Sequence, residues 1–185
     1  LIMCHTLPRI GYKIPYNIKV TNTGAFMTTT PVSYDEYTIV SSKTTLEERV
    51  LEWTEKLCRS LEENYKEYHL RTLNGNLSGN YPEYARKQLD EIENGTANLM
   101  KFRIEKGRKY YKIIQQNYDT FQDRNEYRDG SVHAFVDKKT GQIYMPASWR
   151  GPAKHVRYDM RIIKEREYVL NPRNCGWAGG YLYLR

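Results

Sequence analysis

The chain has 185 residues, 39% hydrophobic and 28% charged, with a formal net charge of +7 at pH 7. That is enough chain to bury one hydrophobic core unaided, and its short apolar runs fall far below the roughly 20 residues that span a bilayer as a helix. Its three cysteines, Cys4, Cys58 and Cys175, are odd in number and widely spaced, which excludes a disulfide framework and a CxxC pair and points to a reducing, cytosolic setting.

The sequence begins at Leu1, and residues 1–26 lack the charged start, apolar middle and small-residue cleavage site of a signal peptide. Met27-Thr-Thr-Thr30 reads as an ordinary protein beginning. Residues 1–26 are therefore expected to form an arm that need not be native, and 27–185 a single α+β domain.

A long helix is predicted from about Leu46 to Leu70. Thr45 and Glu48 have capping-box spacing, and Leu46, Val50, Trp53, Leu57, Leu61, Tyr65 and Tyr68 recur every three or four residues as one buried stripe. Glu52–Lys56, Glu55–Arg59 and Glu62–Lys66 are favourable i,i+4 pairs, and Asn74-Gly75 ends the helix. A shorter helix starts at Pro82, buries Ala85, Leu89 and Ile92, and closes at Asn94-Gly95.

After Thr96 the pattern becomes extended. Phe102–Ile104 and Tyr110–Ile114 flank Glu105-Lys-Gly-Arg108 as a hairpin, and polar Asn117 to Gly130 reads as a loop. Val132 to Asp137 and Gln142 to Met145 form a second hairpin, with Gly141 supplying the positive φ of a bulged turn. Pro146, Gly151 and Pro152 mark a turn out of the sheet, Arg161 to Leu170 a short helix, and Tyr181 to Leu184 a last strand. The expectation is an α+β fold: two N-terminal helices packed on a small antiparallel sheet of consecutive hairpins.

Charge concentrates in this second part. From Lys101 onward there are 18 Lys and Arg against 9 Asp and Glu, with 14 of the 24 aromatic residues. One cluster is Lys101, Arg103, Lys106, Arg108, Lys109 and Lys112 around the first hairpin, where alternation would align Lys101 and Arg103 on one face. The other is Trp149, Arg150, Lys154, His155, Arg157, Tyr158 and Arg161, read as a loop interleaving cations with rings. Cations neutralise phosphates and rings stack on bases, so both clusters are candidate nucleic-acid or anion-binding sites. Their bland alternative is a solvated strand edge guarded by lysines.

Catalytic readings are weaker. His133 and Asp137 lie some 13 Å apart along a strand at about 3.3 Å per residue. Cys175 with His133 or His155 is an unsupported nucleophile–base pair beside the commoner inert cysteine. The four histidines lack metal-ligand spacing, and Asp119, Asp123, Glu126 and Asp129 do not match a calcium loop, so neither a metal nor a cofactor is expected. Gly176, Gly179 and Gly180 read as a tight turn rather than an anion nest.

The segments Ser131–Gly141, Pro146-Ala-Ser-Trp149, Pro152-Ala-Lys154, Val156-Arg-Tyr158 and Trp177–Arg185 resemble small uncharacterised proteins of marine tailed bacteriophages, cyanophages among them. The resemblance covers roughly residues 100–185 and implies a protein working in a bacterial host cytoplasm, with no residue role to carry over. The sequence reading is thus a phage-encoded accessory protein binding nucleic acid or another polyanion without catalysis. The alternative is a protein–protein module, a virion or assembly component or a regulator docking on an acidic host protein, for which the 17 tyrosines are equally suited.

Overall fold

A computed structural model of the protein describes residues 46–183. The arm at 1–26, Thr45 of the expected capping box, Cys4 and the last residues of the tail lie outside them.

The first helix, α1 (Leu46–Asn76), exposes Leu46 and Tyr68 at the ends of the predicted stripe and buries its middle, where Val50, Leu57 and Leu61 have no exposed surface. Each such side chain contributes about 2 kcal/mol of transfer free energy. Of the expected surface pairs, Glu52 and Lys56 close at 2.7 Å, whereas Glu62 accepts the Phe102 backbone N–H at 2.8 Å and so ties the helix to the sheet. The second helix, α2 (Pro82–Glu93), has Pro82 in its first turn and ends at Asn94, with Gly95 at φ +71°. Its one fully buried residue is Ala85, and it packs against α1. The two-helix layer is thus corrected: α1 covers the sheet, and the short apolar stripe of α2 suffices only to hold it to α1.

Five strands follow, β1 (Lys101–Lys106), β2 (Tyr110–Asp119), β3 (Glu126–Asp137), β4 (Gln142–Ser148) and β5 (Gly151–Asp159), paired antiparallel in chain order. Paired residues share a face. Phe102, Ile104, Ile113, Tyr111, Ala134, Val136, Ile143 and Tyr158 therefore form the inner face and join Val50, Leu57 and Leu61 in the core. Arg103, Glu105, Lys112, Ile114, Phe135 and Tyr144 lie on the outer face.

Three expectations give way here. Asn117 to Gly130 is mostly strand: Tyr118 pairs with Tyr127, their rings 5.2 Å apart, and only 120–125 connect β2 to β3. Polar residues suit this ribbon because it lies beyond the helix layer. Gly151 and Pro152 do not leave the sheet but begin β5, after a turn at Trp149-Arg150. Pro152 is tolerated because β5 is an edge, and Pro146 because β4 pairs with β3 only through Tyr144 and Ile143. Among the described residues the tail adds no strand: Gly180–Leu182 is a 3-10 turn after Gly179 at φ +79°, and it sinks Leu182 into the core.

The third helix, α3 (Ile163–Val169), lies within the expected span. The C-terminal segment is pinned on α1. Ser60 donates to the Leu170 carbonyl at 2.7 Å, Asn64 donates to the Pro172 carbonyl at 2.7 Å and accepts from the Trp177 N–H at 2.9 Å.

Candidate nucleic-acid interface

The two basic clusters of the sequence resolve into three places. On the outer face of β1–β3 Arg103 and Lys112 are matched by carboxylates. Arg103 makes a two-pronged contact with Asp129, to which Gln116 also donates at 2.9 Å, and reaches Glu105 at 3.4 Å. The guanidinium holds the Asp129 carboxyl down at about 2. Lys112 meets Glu105 at 2.6 Å and lowers that carboxyl too. Lys101 sits 4.2 Å from the Tyr127 ring centroid, one face of a potential stacking ring already occupied. This surface is largely a cross-strand ion-pair network, in which Arg103 commits its Nε and Nη2 donors to Asp129 and Glu105.

The second place is the β4–β5 tip. Beyond Tyr144 this ribbon separates from β3, and the Trp149 ring comes within 5.5 Å of the Lys112 ammonium on the outer face. Trp149 remains 45% exposed. Arg150 and Lys154 are exposed and meet no carboxylate among the described residues, while the Arg150 backbone N–H is held by Ser148 Oγ at 3.2 Å. His155 is likewise exposed on the edge strand.

The remaining members of that cluster are structural. Arg157 donates to the Leu182 carbonyl at 2.5 Å and the His155 carbonyl at 2.9 Å, clamping the tail turn. The Tyr158 hydroxyl donates to the Tyr181 carbonyl at 3.1 Å, and its ring stacks on Tyr168 at 5.8 Å. Arg161 is bidentate to Asp159, at 2.9 and 2.5 Å, and depresses its carboxyl. Position along the ribbon explains the division: Arg150, Lys154 and His155 lie toward the tip, whereas Arg157 and Tyr158, beyond a register shift, lie against the tail turn, and Arg161 follows the end of β5.

The third place is the opposite end of the sheet. The β1–β2 turn carries Arg108 and Lys109, the β3–β4 turn carries Lys138 and Lys139, and the Lys138 N–H donates to the Lys109 carbonyl at 3.1 Å. The sequence reading treated Asp137-Lys-Lys-Thr-Gly141 only as a turn. The clue that it joins Arg108 and Lys109 is the meander itself, which puts alternate turns at the same end.

No catalytic arrangement forms among the described residues. His133 is buried against Phe102 and shares a 3.1 Å hydrogen bond with the Tyr181 hydroxyl, and burial lowers its pKa to about 4. Asp137 instead accepts the Lys139 and Thr140 N–H groups at 2.9 and 3.1 Å. Burial pushes the Cys175 thiol up to about 11 and the Cys58 thiol to about 12, the reverse of what a nucleophile needs. Asp119 accepts the Phe121 N–H and contacts Arg128 and Arg124. Among the described residues, no group of three His, Cys, Asp or Glu is placed to hold a metal, and no helix is long and apolar enough to cross a membrane.

These features define an α+β protein in which a helix backs a five-stranded antiparallel meander and basic turns mark both ends of the sheet. Over residues 34–184 the chain belongs to a family of unknown function, DUF7717. No curated protein and no solved structure matches it.

Proposed function

We propose that this protein binds nucleic acid, or another polyanion, without acting on it chemically, and that the β4–β5 tip is the contact. The observation that carries this reading is a half-exposed Trp149 ring on the same ribbon as Arg150 and Lys154, two exposed cations that pair with no carboxylate among the described residues. Arg can take phosphate oxygens in pairs while the indole stacks on an unpaired base, so a single strand suits the tip better than a duplex. The phage-infected bacterial cell implied by the C-terminal resemblance is the setting we propose for it.

The test is fluorescence anisotropy with labelled single- and double-stranded DNA and RNA across a salt series. Two or three neutralised phosphates give a log–log salt slope of about −2 on a single strand. The Arg150→Glu/Lys154→Glu variant is expected to lose at least tenfold in affinity. Salt-independent binding, or none to any nucleic acid, overturns the reading.

A second reading, a protein–protein module, is favoured by Tyr81 and Tyr84. They are 78% and 61% exposed and line an open recess of about 740 Å3 with Asn76, Gly79 and Asn80. A Tyr81→Ala/Tyr84→Ala variant that loses a partner in pull-downs but keeps nucleic-acid retention would favour this alternative.

A further inference from the structure

The end of the sheet opposite the β4–β5 tip holds a recess of about 470 Å3 between the β1–β2 and β3–β4 turns. Four cations line it, Arg108, Lys109, Lys138 and Lys139, together with the Thr140 hydroxyl and two carboxylates, Glu47 and Asp137. The carboxylates do not cancel the cations. Asp137 is engaged by the Lys139 and Thr140 N–H groups and stands 3.7 Å from the Lys109 ammonium, and Glu47 stands 3.6 Å from Lys138. Both separations are long beside the 2.6 Å contact of Lys112 with Glu105. Arg108 and Lys139 are exposed with no acidic partner among the described residues. The recess therefore carries an excess of two positive charges and two uncommitted donors.

We infer that this recess binds a phosphate monoester. A monoester carries close to two negative charges at neutral pH, which match the charge excess, and offers three terminal oxygens to the donors lining the recess. The planar fork of Arg108 can take two of those oxygens, and the lysines act as mobile point charges around the third. Thr140 Oγ accepts the Gln142 N–H at 3.4 Å, which leaves the hydroxyl proton to donate. A phosphodiester backbone brings one charge per phosphate and runs past a site rather than ending in it. The recess lies between two turns and has room for more than the phosphate itself, within the range of ligand sites of roughly 300–1,000 Å3. The ligand class is therefore a nucleoside monophosphate or the phosphorylated end of a strand. This site is separate from the β4–β5 tip and does not rest on its role.

The experiment is calorimetric titration of the full chain with a nucleoside monophosphate, its parent nucleoside and inorganic phosphate, in parallel with 5′-phosphorylated and 5′-hydroxyl oligonucleotides. Wild type is expected to bind the monophosphate and not the nucleoside. The exposed double variant Arg108→Ala/Lys139→Ala should lose at least tenfold, while Arg150→Glu leaves this binding unchanged. Affinity should also fall below pH 6, as the monoester takes up its second proton. Preference for the 5′-phosphorylated over the 5′-hydroxyl strand assigns the site to a strand end. Equal affinity for the two strands, with the monophosphate still bound, assigns it to free nucleotides. Absence of monophosphate binding, equal binding by the double variant, or a nucleoside binding as tightly as its phosphate overturns the inference.

Discussion

His133 makes the folded chain sensitive to acid by an amount that its surroundings fix. The imidazole is buried between Phe102 and Tyr181, and burial lowers its pKa from 6.5 to about 4. At pH 7 the group is largely neutral in both folded and unfolded chains. As pH falls through 6.5 the unfolded chain takes up a proton that the folded chain refuses, so stability is lost between pH 6.5 and about 4. The loss from this one group is about 2 kcal/mol between pH 7 and 5, and about 3 kcal/mol once both states are protonated. Urea unfolding of wild type and His133→Gln at pH 7 and pH 5 measures it. Gln keeps a polar partner for the Tyr181 hydroxyl and does not titrate. Wild type should lose about 2 kcal/mol more than the variant over that interval. An equal loss in both proteins would refute the reasoning, because the carboxylates that also respond to acid are common to the two.

Three further outcomes are expected. Gly141 sits at φ +67°, and a Cβ there would lie 3.2 Å from Val50 Cγ2, so Gly141→Ala should cost about 2 kcal/mol from left-handed strain and crowding, seen as a lowered Tm. Arg103→Met should leave nucleic-acid affinity within twofold and cost no more than about 1 kcal/mol in urea unfolding, since the pair with Asp129 is one-third exposed on each side. Cys58 and Cys175, whose thiols are raised to about 12 and 11, should resist a thiol-specific reagent at pH 8 in native protein and react on unfolding.

The order of elements was legible where periodicity is strong. The stripe from Val50 to Leu61 is the buried face of α1, and the glycine at 141 takes the positive φ that its turn requires. Sequence reasoning failed where polarity was taken for irregularity. Asn117 to Gly130 looked like a loop because its residues are hydrophilic, yet a ribbon extending past the helix has no apolar face to bury. The clusters were visible as composition, but which cations are free was not. Arg103 and Arg161 differ from Arg150 only in having an aspartate nearby. Asp159 sits two residues before Arg161, whereas Asp129 reaches Arg103 across β2 and three-dimensional pairing alone reveals it.

The bonds from Ser60 and Asn64 to Leu170, Pro172 and Trp177 bear on the order in which the molecule is made. Every strand pairs with its neighbour in sequence, so the sheet can close progressively as successive hairpins form, with little loop-closure entropy at each step. The helix that covers it is synthesised first, but the partners of Ser60 and Asn64 arrive more than 100 residues later. The apolar face of α1 can be covered as the hairpins form, but Ser60 and Asn64 reach their partners only once residues 170–177 are in place. Residues 170–177 thus act as a latch that closes on the helix after the sheet has formed, and a chain lacking them would hold α1 and the sheet together without these bonds.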